Sequence, residues 1–159
     1  MSRIEIDEFI KNTDKDAVLL CLDVGAKTIG LATGNLTSYT ASPLKTIRRK
    51  KFSHDYESLS SVIESYNVTT LVIGYPLNMD GTESRQCQSV RDFARELERR
   101  GMSLPYIFWD ERLSTDSVDR YLDETVNKRK AKDKGVIDAI AAQLILERAL
   151  QFIEQKHSA

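Results

Sequence analysis

Short apolar runs separated by polar segments predict a sheet flanked by helices. Runs at about 17–24 and 28–34 are joined at Gly25 by a connection so tight that it predicts an antiparallel hairpin. The first run lacks the length of a helix, which indicates a strand buried on both faces. A third run at about 39–47 is expected to continue the meander as an edge strand, because Pro43 cannot donate a ladder hydrogen bond.

The rest of the chain alternates between strand and helix patterns. Strands are predicted at about 68–74 and 104–109, and helices at about 53–66 (capped by Ser53), 84–100, 114–124 and 135–155. A chain of 159 residues suits one domain, with an arm or short helix over 1–16 and a core over 17–156. A meander followed by strand–helix alternation predicts an α/β fold, a mixed sheet with helices on both faces.

The composition excludes a strongly charged or membrane-embedded class of protein. The chain is 41% hydrophobic and 30% charged with a formal net charge of −1, so a nucleic-acid partner must be argued from local clusters. No run approaches the roughly 20 apolar residues of a membrane span, and the N-terminus has no signal pattern. Cys21 and Cys87 lack metal-ligand spacing and are expected to be free thiols. We therefore expect a cytoplasmic protein.

Carboxylates stand at the ends of two predicted strands and inside the last helix. Asp23 ends the first strand, Asp110 and Glu111 follow the last strand, and Asp138 lies among apolar residues. Because sites in such sheets gather at the carboxyl ends of strands, we expect these acids to lie together. Buried carboxylates repel one another, and oxygen ligands without cysteine or histidine favour Mg²⁺ or Mn²⁺, as one or two ions. Such a cluster suits phosphoryl transfer.

Each acid also has a simpler interpretation. Asp23 could bond a turn amide, and Asp138 could pair with a lysine or an arginine. Asp110 and Glu111 could pair with Arg112. Three acids in three separate apolar settings nevertheless favour one shared metal site over three unrelated pairings.

Basic runs and loop residues are candidates for phosphate contacts. The runs 48–51 and 128–134 would suit a nucleic-acid backbone, although each could equally be a solvated loop. The loop YPLNMDGTES follows a strand at the same edge, where Tyr75 could stack on a base or pack in the core. The candidates for nucleic-acid binding are Lys27, Asn78, Arg112, Lys128, Arg129 and Lys130.

Four motifs resemble the YqgF/RuvX family of RNase H-like nucleases. They are LDVGAKTIGLAT, VIGYPLNMDGTES, DERLST and KGVIDAIAAQLIL, in that order over about 18–150. The resemblance implies an RNase H-like fold with a five-stranded mixed sheet, antiparallel in its first three strands and parallel in the others. It also implies that the metal-binding catalytic acids are Asp23, Glu111 and Asp138, with Asp110 as an accessory metal ligand.

The resemblance further implies a function. The family is associated with maturing the 5′ end of pre-16S ribosomal RNA, so the expected partner is a ribosomal RNA precursor, free or within a pre-ribosomal particle. Alternatives are a Holliday-junction resolvase acting on branched DNA, which would need a dimer, and a noncatalytic nucleic-acid-binding module. We expect a monomer or weak dimer. The chain departs from the family pattern at Thr28 and Ser84, usually a basic residue and a glycine.

Overall fold

The computed structural model describes residues 3–112 and 134–158. The strands are β1 (Val18–Val24), β2 (Thr28–Asn35), β3 (Ala41–Arg48), β4 (Thr70–Tyr75) and β5 (Tyr106–Asp110), and the helices are α1 (Ile6–Asn12), α2 (Phe52–Ser65), α3 (Arg85–Arg99) and α4 (Lys134–His157). These bounds lie within a few residues of the predicted ones. The helix predicted at 114–124 and the candidates Lys128, Arg129 and Lys130 lie outside the described residues.

The described strands form one five-stranded sheet in the order β3-β2-β1-β4-β5. The pairs β1–β2 and β2–β3 are antiparallel, and the pairs β1–β4 and β4–β5 are parallel. Pro43 lies on the edge strand β3, as predicted. β1, β3, β4 and β5 therefore all end at one edge of the sheet, which we call the carboxyl edge.

Side chains of β1 alternate between two hydrophobic layers. Leu20 and Leu22 pack against α2 and α3, whereas Cys21 packs beneath α4 together with Trp109 and Ile145. The predicted helices on both faces are confirmed. Because strand side chains alternate, Asp23 lies on the same face as Cys21, under α4. Both cysteines are free and buried.

The start of α2 differs from the prediction. The helix begins at Phe52 with Lys51 at the N-cap position, and Ser53 is not the cap. The Lys50 N–H instead donates to Oδ1 of Asp55 at 3.0 Å, and Asp55 is only 2% exposed. Among the described residues, no side chain caps the first amides of α2, and a buried carboxylate in its first turn instead holds the residue that precedes the N-cap.

The N-terminal arm packs on the sheet and on α4. The Ile4 N–H donates to the Tyr106 carbonyl oxygen at 2.8 Å, and Arg3 forms a parallel bridge with the same residue. Phe9 of α1 is 1% exposed and joins the hydrophobic layer beneath α4. In the part of the chain that is described, no helix has the length and apolarity needed to cross a membrane.

Candidate active site

A close approach of α4 to β2 brings Asp138 beside Asp23. Asp23 pairs with Gly30 in the β1–β2 ladder. A Cβ atom placed on Gly30 would lie 1.9 Å from the carbonyl oxygen of Asp138. Glycine therefore lets the backbone of α4 rest directly on β2, which is the usual meaning of a glycine inside a strand.

Glu111 approaches from the other side of β1. Its N–H donates to the Tyr75 carbonyl oxygen at 3.4 Å, and its Oε2 lies 3.4 Å from the place that a Cβ on Gly74 would take. The Glu111 carboxylate thus folds back over β4, the strand between β5 and β1. Glu111 and Asp138 therefore approach Asp23 from opposite sides, and their roles as metal ligands stay predictions.

Burial and mutual repulsion disfavour the ionised form of the two strand-end acids. Burial, followed by the negative charge of Asp138, raises the pKa of Asp23 to about 6. Burial and the charge of Asp23 raise the pKa of Glu111 to about 7, although the positive charge of Arg148 acts in the opposite direction. The acids therefore form an electrostatically coupled group that a cation would stabilise.

Cys21 lies directly below this group. It is fully buried, and burial raises the pKa of its thiol well above the ordinary value, with further contributions from Asp23 and Glu111. The thiol therefore stays protonated and acts as a small packing residue beneath the acids.

Asp110 has a different environment from its neighbour Glu111. Arg112 donates from Nε to Oδ1 of Asp110 at 3.0 Å and from Nη2 to Oδ2 at 2.8 Å. Burial acts to raise the pKa of Asp110, but the hydrogen bonds and charge of Arg112 outweigh it and hold that pKa below its ordinary value. The simple pairing with Arg112 is thus observed for Asp110. The expectation that Asp110 also binds metal stays a prediction.

The loop between β4 and α3 is held by its own hydrogen bonds and by Arg112. The Asn78 amide nitrogen Nδ2 donates to Oγ1 of Thr82 at 3.0 Å, and Gly81 takes a φ of 90° in the turn. Nη1 of Arg112 donates to the Met79 carbonyl oxygen at 3.4 Å. Asn78 is exposed at the carboxyl edge, where the sequence placed it.

Tyr75 is a core residue. Its side chain is 8% exposed and stacks on Phe108, with ring centroids 4.7 Å apart. Its hydroxyl donates to Glu83 at 2.7 Å. Of the two interpretations open from the sequence, core packing is confirmed.

Lys27 and the first basic run meet at the carboxyl edge. Lys27 is exposed in the β1–β2 turn, and its carbonyl oxygen accepts the Arg49 N–H at 2.9 Å. Nη1 of Arg49 donates to the Gly25 carbonyl oxygen at 2.8 Å, and its Nε lies 3.8 Å from Oδ2 of Asp55. Arg49 therefore braces the turn that carries Lys27.

Three residues outside the predicted set also shape this site. Gly30 had a usable signal, because a glycine inside a strand pattern indicates a close backbone approach. Arg49 lay within the run 48–51 and could not be told apart from its neighbours. Arg148 influences Glu111 from α4, and no local pattern in the sequence marks it.

The donor set fits a hard divalent cation in charge and in atom type. Asp23, Glu111 and Asp138 offer only carboxylate oxygens, the ligands that Mg²⁺ and Mn²⁺ prefer. Across residues 3–112 and 134–158, no three acidic, imidazole or thiol side chains lie close enough to surround one metal ion. An ion held by all three acids would bring their carboxylates closer together than they lie here.

Comparisons of sequence place the chain in a family. The family model described as "RuvX: Holliday junction resolvase" matches residues 17–152. A relative from Phenylobacterium zucineum named "Putative pre-16S rRNA nuclease" is 47% identical over 83% of this chain and 85% of its own length. A relative of the same name from Caulobacter vibrioides is 45% identical over 95% of this chain and 97% of its own length.

Comparisons of structure agree on the fold. RuvC of T. thermophilus, solved in complex with a Holliday junction substrate, aligns with a TM-score of 0.50 at 9% identity over 88% of this chain and 96% of that one. The yeast mitochondrial Holliday junction resolvase aligns with a TM-score of 0.50 at 11% identity over 96% of this chain and 86% of that one. The fold is that of the RuvC-like, RNase H-fold resolvases. The chain thus belongs to the RuvX (YqgF) family and is a nuclease, a hydrolase acting on phosphodiester bonds.

Proposed function

We propose that this nuclease is a metal-dependent endonuclease that processes the 5′ end of pre-16S ribosomal RNA. The observation that carries the proposal is the electrostatic coupling of three acids: burial and the charge of Asp138 raise the pKa of Asp23, and burial and the charge of Asp23 raise the pKa of Glu111. The relatives' name supports the ribosomal substrate. The proposed partner is the precursor RNA, free or in a pre-ribosomal particle.

The three acids are proposed as the ligands of one or two Mg²⁺ or Mn²⁺ ions. A divalent cation bound there would offset charge developing on the phosphate and make an attacking water more acidic. The protein's own contribution is to hold the carboxylates on three different elements, β1, the end of β5 and α4, so that the cation has a defined position. Cys21 and the other packed residues below the acids keep water away from their inner side.

Contacts to the RNA are proposed for Lys27 and Asn78, which are exposed at the carboxyl edge. Arg112 is proposed to contact a phosphate with the guanidinium donors that Asp110 and Met79 do not use. Lys128, Arg129 and Lys130 are proposed on the charge pattern of the sequence alone. Two free buried cysteines agree with a reducing compartment, and we propose the cytoplasm.

A second candidate is a nuclease of branched DNA. The description of the matching family model favours it. Paired cleavage of a four-way junction would need two active sites and hence a dimer, which is a measurable difference from the ribosomal proposal. A noncatalytic module is the weaker alternative, because all three acids are present.

A side-by-side cleavage assay tests the proposal. Wild type and Asp23→Asn would each be incubated with Mn²⁺ and either precursor 16S RNA or a four-way DNA junction. We expect wild type to cut the RNA, Asp23→Asn to lose at least 100-fold in rate, and the junction to remain intact.

The outcomes separate the candidates. Junction cleavage without RNA cleavage would replace the ribosomal assignment with the resolvase one. Full activity of Asp23→Asn would remove Asp23 from the catalytic set. Asp16→Asn is the matched control, because Asp16 is an exposed acid that precedes β1, outside the coupled group, and the variant should cut at the wild-type rate.

A further inference from the structure

A strip of exposed basic side chains follows the carboxyl edge from the β1–β2 turn, through the end of β3, to the start of α2. It consists of Lys27, Arg48, Lys50 and Lys51, which are all exposed. None of these four side chains forms an ion pair with any residue that the structure describes. Their neighbour Arg49 differs, since it is paired with Asp55 and bonded to Gly25. Within the described part of the chain, the run 48–51 therefore consists of one paired residue, Arg49, and three cations without an ion pair.

Strand register places Arg48 near the acids. Arg48 pairs with Thr28 at the end of β3, and Ile47 beside it packs against the layer of α2 and α3. Because strand side chains alternate, Arg48 lies on the opposite face, the one that carries Gly30 and Asp23. β3 is two strands from β1, a separation of about 10 Å across the sheet. One nucleic-acid strand can span that distance.

The loop on the other side of Asp23 carries both acids and cations. The loop between β4 and α3 carries Asp80 and Glu83, both exposed. Hydrogen bonds from Thr82 hold the pKa of Asp80 below its ordinary value, and the hydrogen bond from Tyr75 does the same for Glu83. Both carboxylates are therefore ionised at neutral pH. Arg91 pairs with Glu83, and the charge of Arg112 acts on Asp80. Charge on the loop side is therefore largely balanced, whereas the β3 side carries an excess of positive charge.

We propose that the strip Lys27, Arg48, Lys50 and Lys51 binds the sugar–phosphate backbone of the substrate strand on the β3 side of the cleaved bond. The strip consists of cations without an ion-pair partner among the described residues. The contacts of Arg49 with Gly25 and Asp55, and of the Lys50 N–H with Asp55, hold residues 48–51 in place. Contacts to phosphates position a strand without reading its sequence. This inference rests on the proposed function, because it locates the same substrate relative to the same acids.

Binding without metal tests the strip separately from catalysis. A fluorescently labelled RNA hairpin with a single-stranded flank would be titrated in EDTA at KCl concentrations from 50 to 300 mM. We expect Arg48→Ala/Lys50→Ala/Lys51→Ala to bind about tenfold more weakly at 100 mM KCl, with a salt slope shallower by about 2. Arg48→Ala alone should show a smaller change in the same direction.

Two controls are matched in charge. Lys45 lies on the same strand as Arg48, but on the face of its ladder partner Leu31, so Lys45→Ala should leave affinity and slope unchanged. Lys11→Ala/Lys15→Ala/Lys45→Ala removes the same number of exposed charges as the strip variant and should also bind like wild type.

Each result decides one of the two claims. A strip variant with wild-type affinity and slope would overturn the strip, as would equal losses in the control triple or a wild type that binds no RNA. If the strip variant loses binding while wild type with Mn²⁺ fails to cut precursor RNA, the strip stands and the proposed function fails. If wild type cuts precursor RNA and the strip variant binds RNA normally, the proposed function stands and the strip fails.

Discussion

The carbonyl oxygen of Asp138 lies 1.9 Å from the position that a side-chain carbon on Gly30 would occupy. Backbone is therefore packed on backbone at the point where α4 crosses β2. Since Gly30 is also the ladder partner of Asp23, one contact determines the separation of two of the three acids. The site depends on this glycine although glycine supplies no functional group.

Gly30→Ala should move the start of α4 away from the sheet. We expect the free energy of unfolding to fall by about 2 kcal/mol. The cleavage rate should fall by more than the loss of folded protein explains, because Asp138 moves with the helix. Gly34→Ala is the matched control on the same strand, since a carbon there would lie 2.8 Å from the Thr40 carbonyl oxygen but beside Leu19, away from the acids. Its cleavage rate should fall only as far as its stability falls. Urea denaturation and cleavage rates measure both effects. Equal behaviour of the two variants would contradict the packing argument.

Stability of the metal-free protein should fall as pH rises from about 4 to 8. The folded-state pKa of Asp23 is raised to about 6 and that of Glu111 to about 7, so the folded protein binds more protons than the unfolded chain in this range. The favourable contribution is complete below the unfolded values and is lost as pH rises through the folded ones. For Asp23, whose pKa rises from 3.8 to about 6, it is on the order of 3 kcal/mol. Thermal denaturation in EDTA checks the sign.

Asp23→Asn supplies the control for that pH dependence. It removes one titrating group and one repulsive charge, so the variant should exceed wild type in stability at pH 8 and approach it at pH 5. A steeper pH dependence in the variant than in wild type would show that other groups control the transition.

Mg²⁺ or Mn²⁺ should raise the melting temperature of the wild-type protein. A ligand that binds only the folded state stabilises it in proportion to the logarithm of its concentration. The rise should be larger at pH 8 than at pH 5.5, because protonated carboxylates are poor metal ligands. Asp138→Asn should reduce the shift, whereas Asp80→Asn in the exposed loop should keep it. A wild-type shift that is absent at 10 mM metal would exclude a preformed site.

Arg49 should matter for stability more than for RNA affinity. Among the residues that the structure describes, Arg49→Met leaves the buried Asp55 carboxylate with only the Lys50 N–H and the half-exposed His54 beside it, and we expect a loss of about 2 kcal/mol. Adding Asp55→Asn should recover part of that loss in a double-mutant cycle. Arg99→Ala, which breaks the exposed pair with Glu96, should change stability by less than about 0.5 kcal/mol. Equal losses of stability in Arg49→Met and Arg99→Ala would contradict the stabilising role of Arg49.

The fold was predictable from apolar runs and turn signals because each element has a local pattern. The strand meander, the edge position of Pro43 and both helical layers follow from such patterns. The start of α2 was not predictable in this way, although Ser53 is a favourable N-cap residue. The Lys50 N–H is instead accepted by Asp55, whose burial is created only by tertiary packing.

The acids were predictable as a group, but their division was not. Asp110 and Glu111 are adjacent carboxylates after the same strand, and nothing local distinguishes them. Their separation follows from what lies nearby in space: Arg112 pairs with Asp110, while the open position above Gly74 receives Glu111. The effect of Arg148 on Glu111 likewise depends on the path of α4 across the sheet, which no local pattern predicts.

The short N-terminal bridge to β5 has a consequence for the sheet as a whole. Strands at sheet edges present unpaired amides and carbonyls that can recruit another chain, and proteins protect such edges with local cover. Here the Ile4 N–H occupies the Tyr106 carbonyl oxygen, and the Arg3 guanidinium lies 4.7 Å from the centre of the Phe108 ring. The family model begins at residue 17, after this cover. A version trimmed to residues 17–152 would keep the candidate acids Asp23, Glu111 and Asp138 and gain a tendency to self-associate through β5.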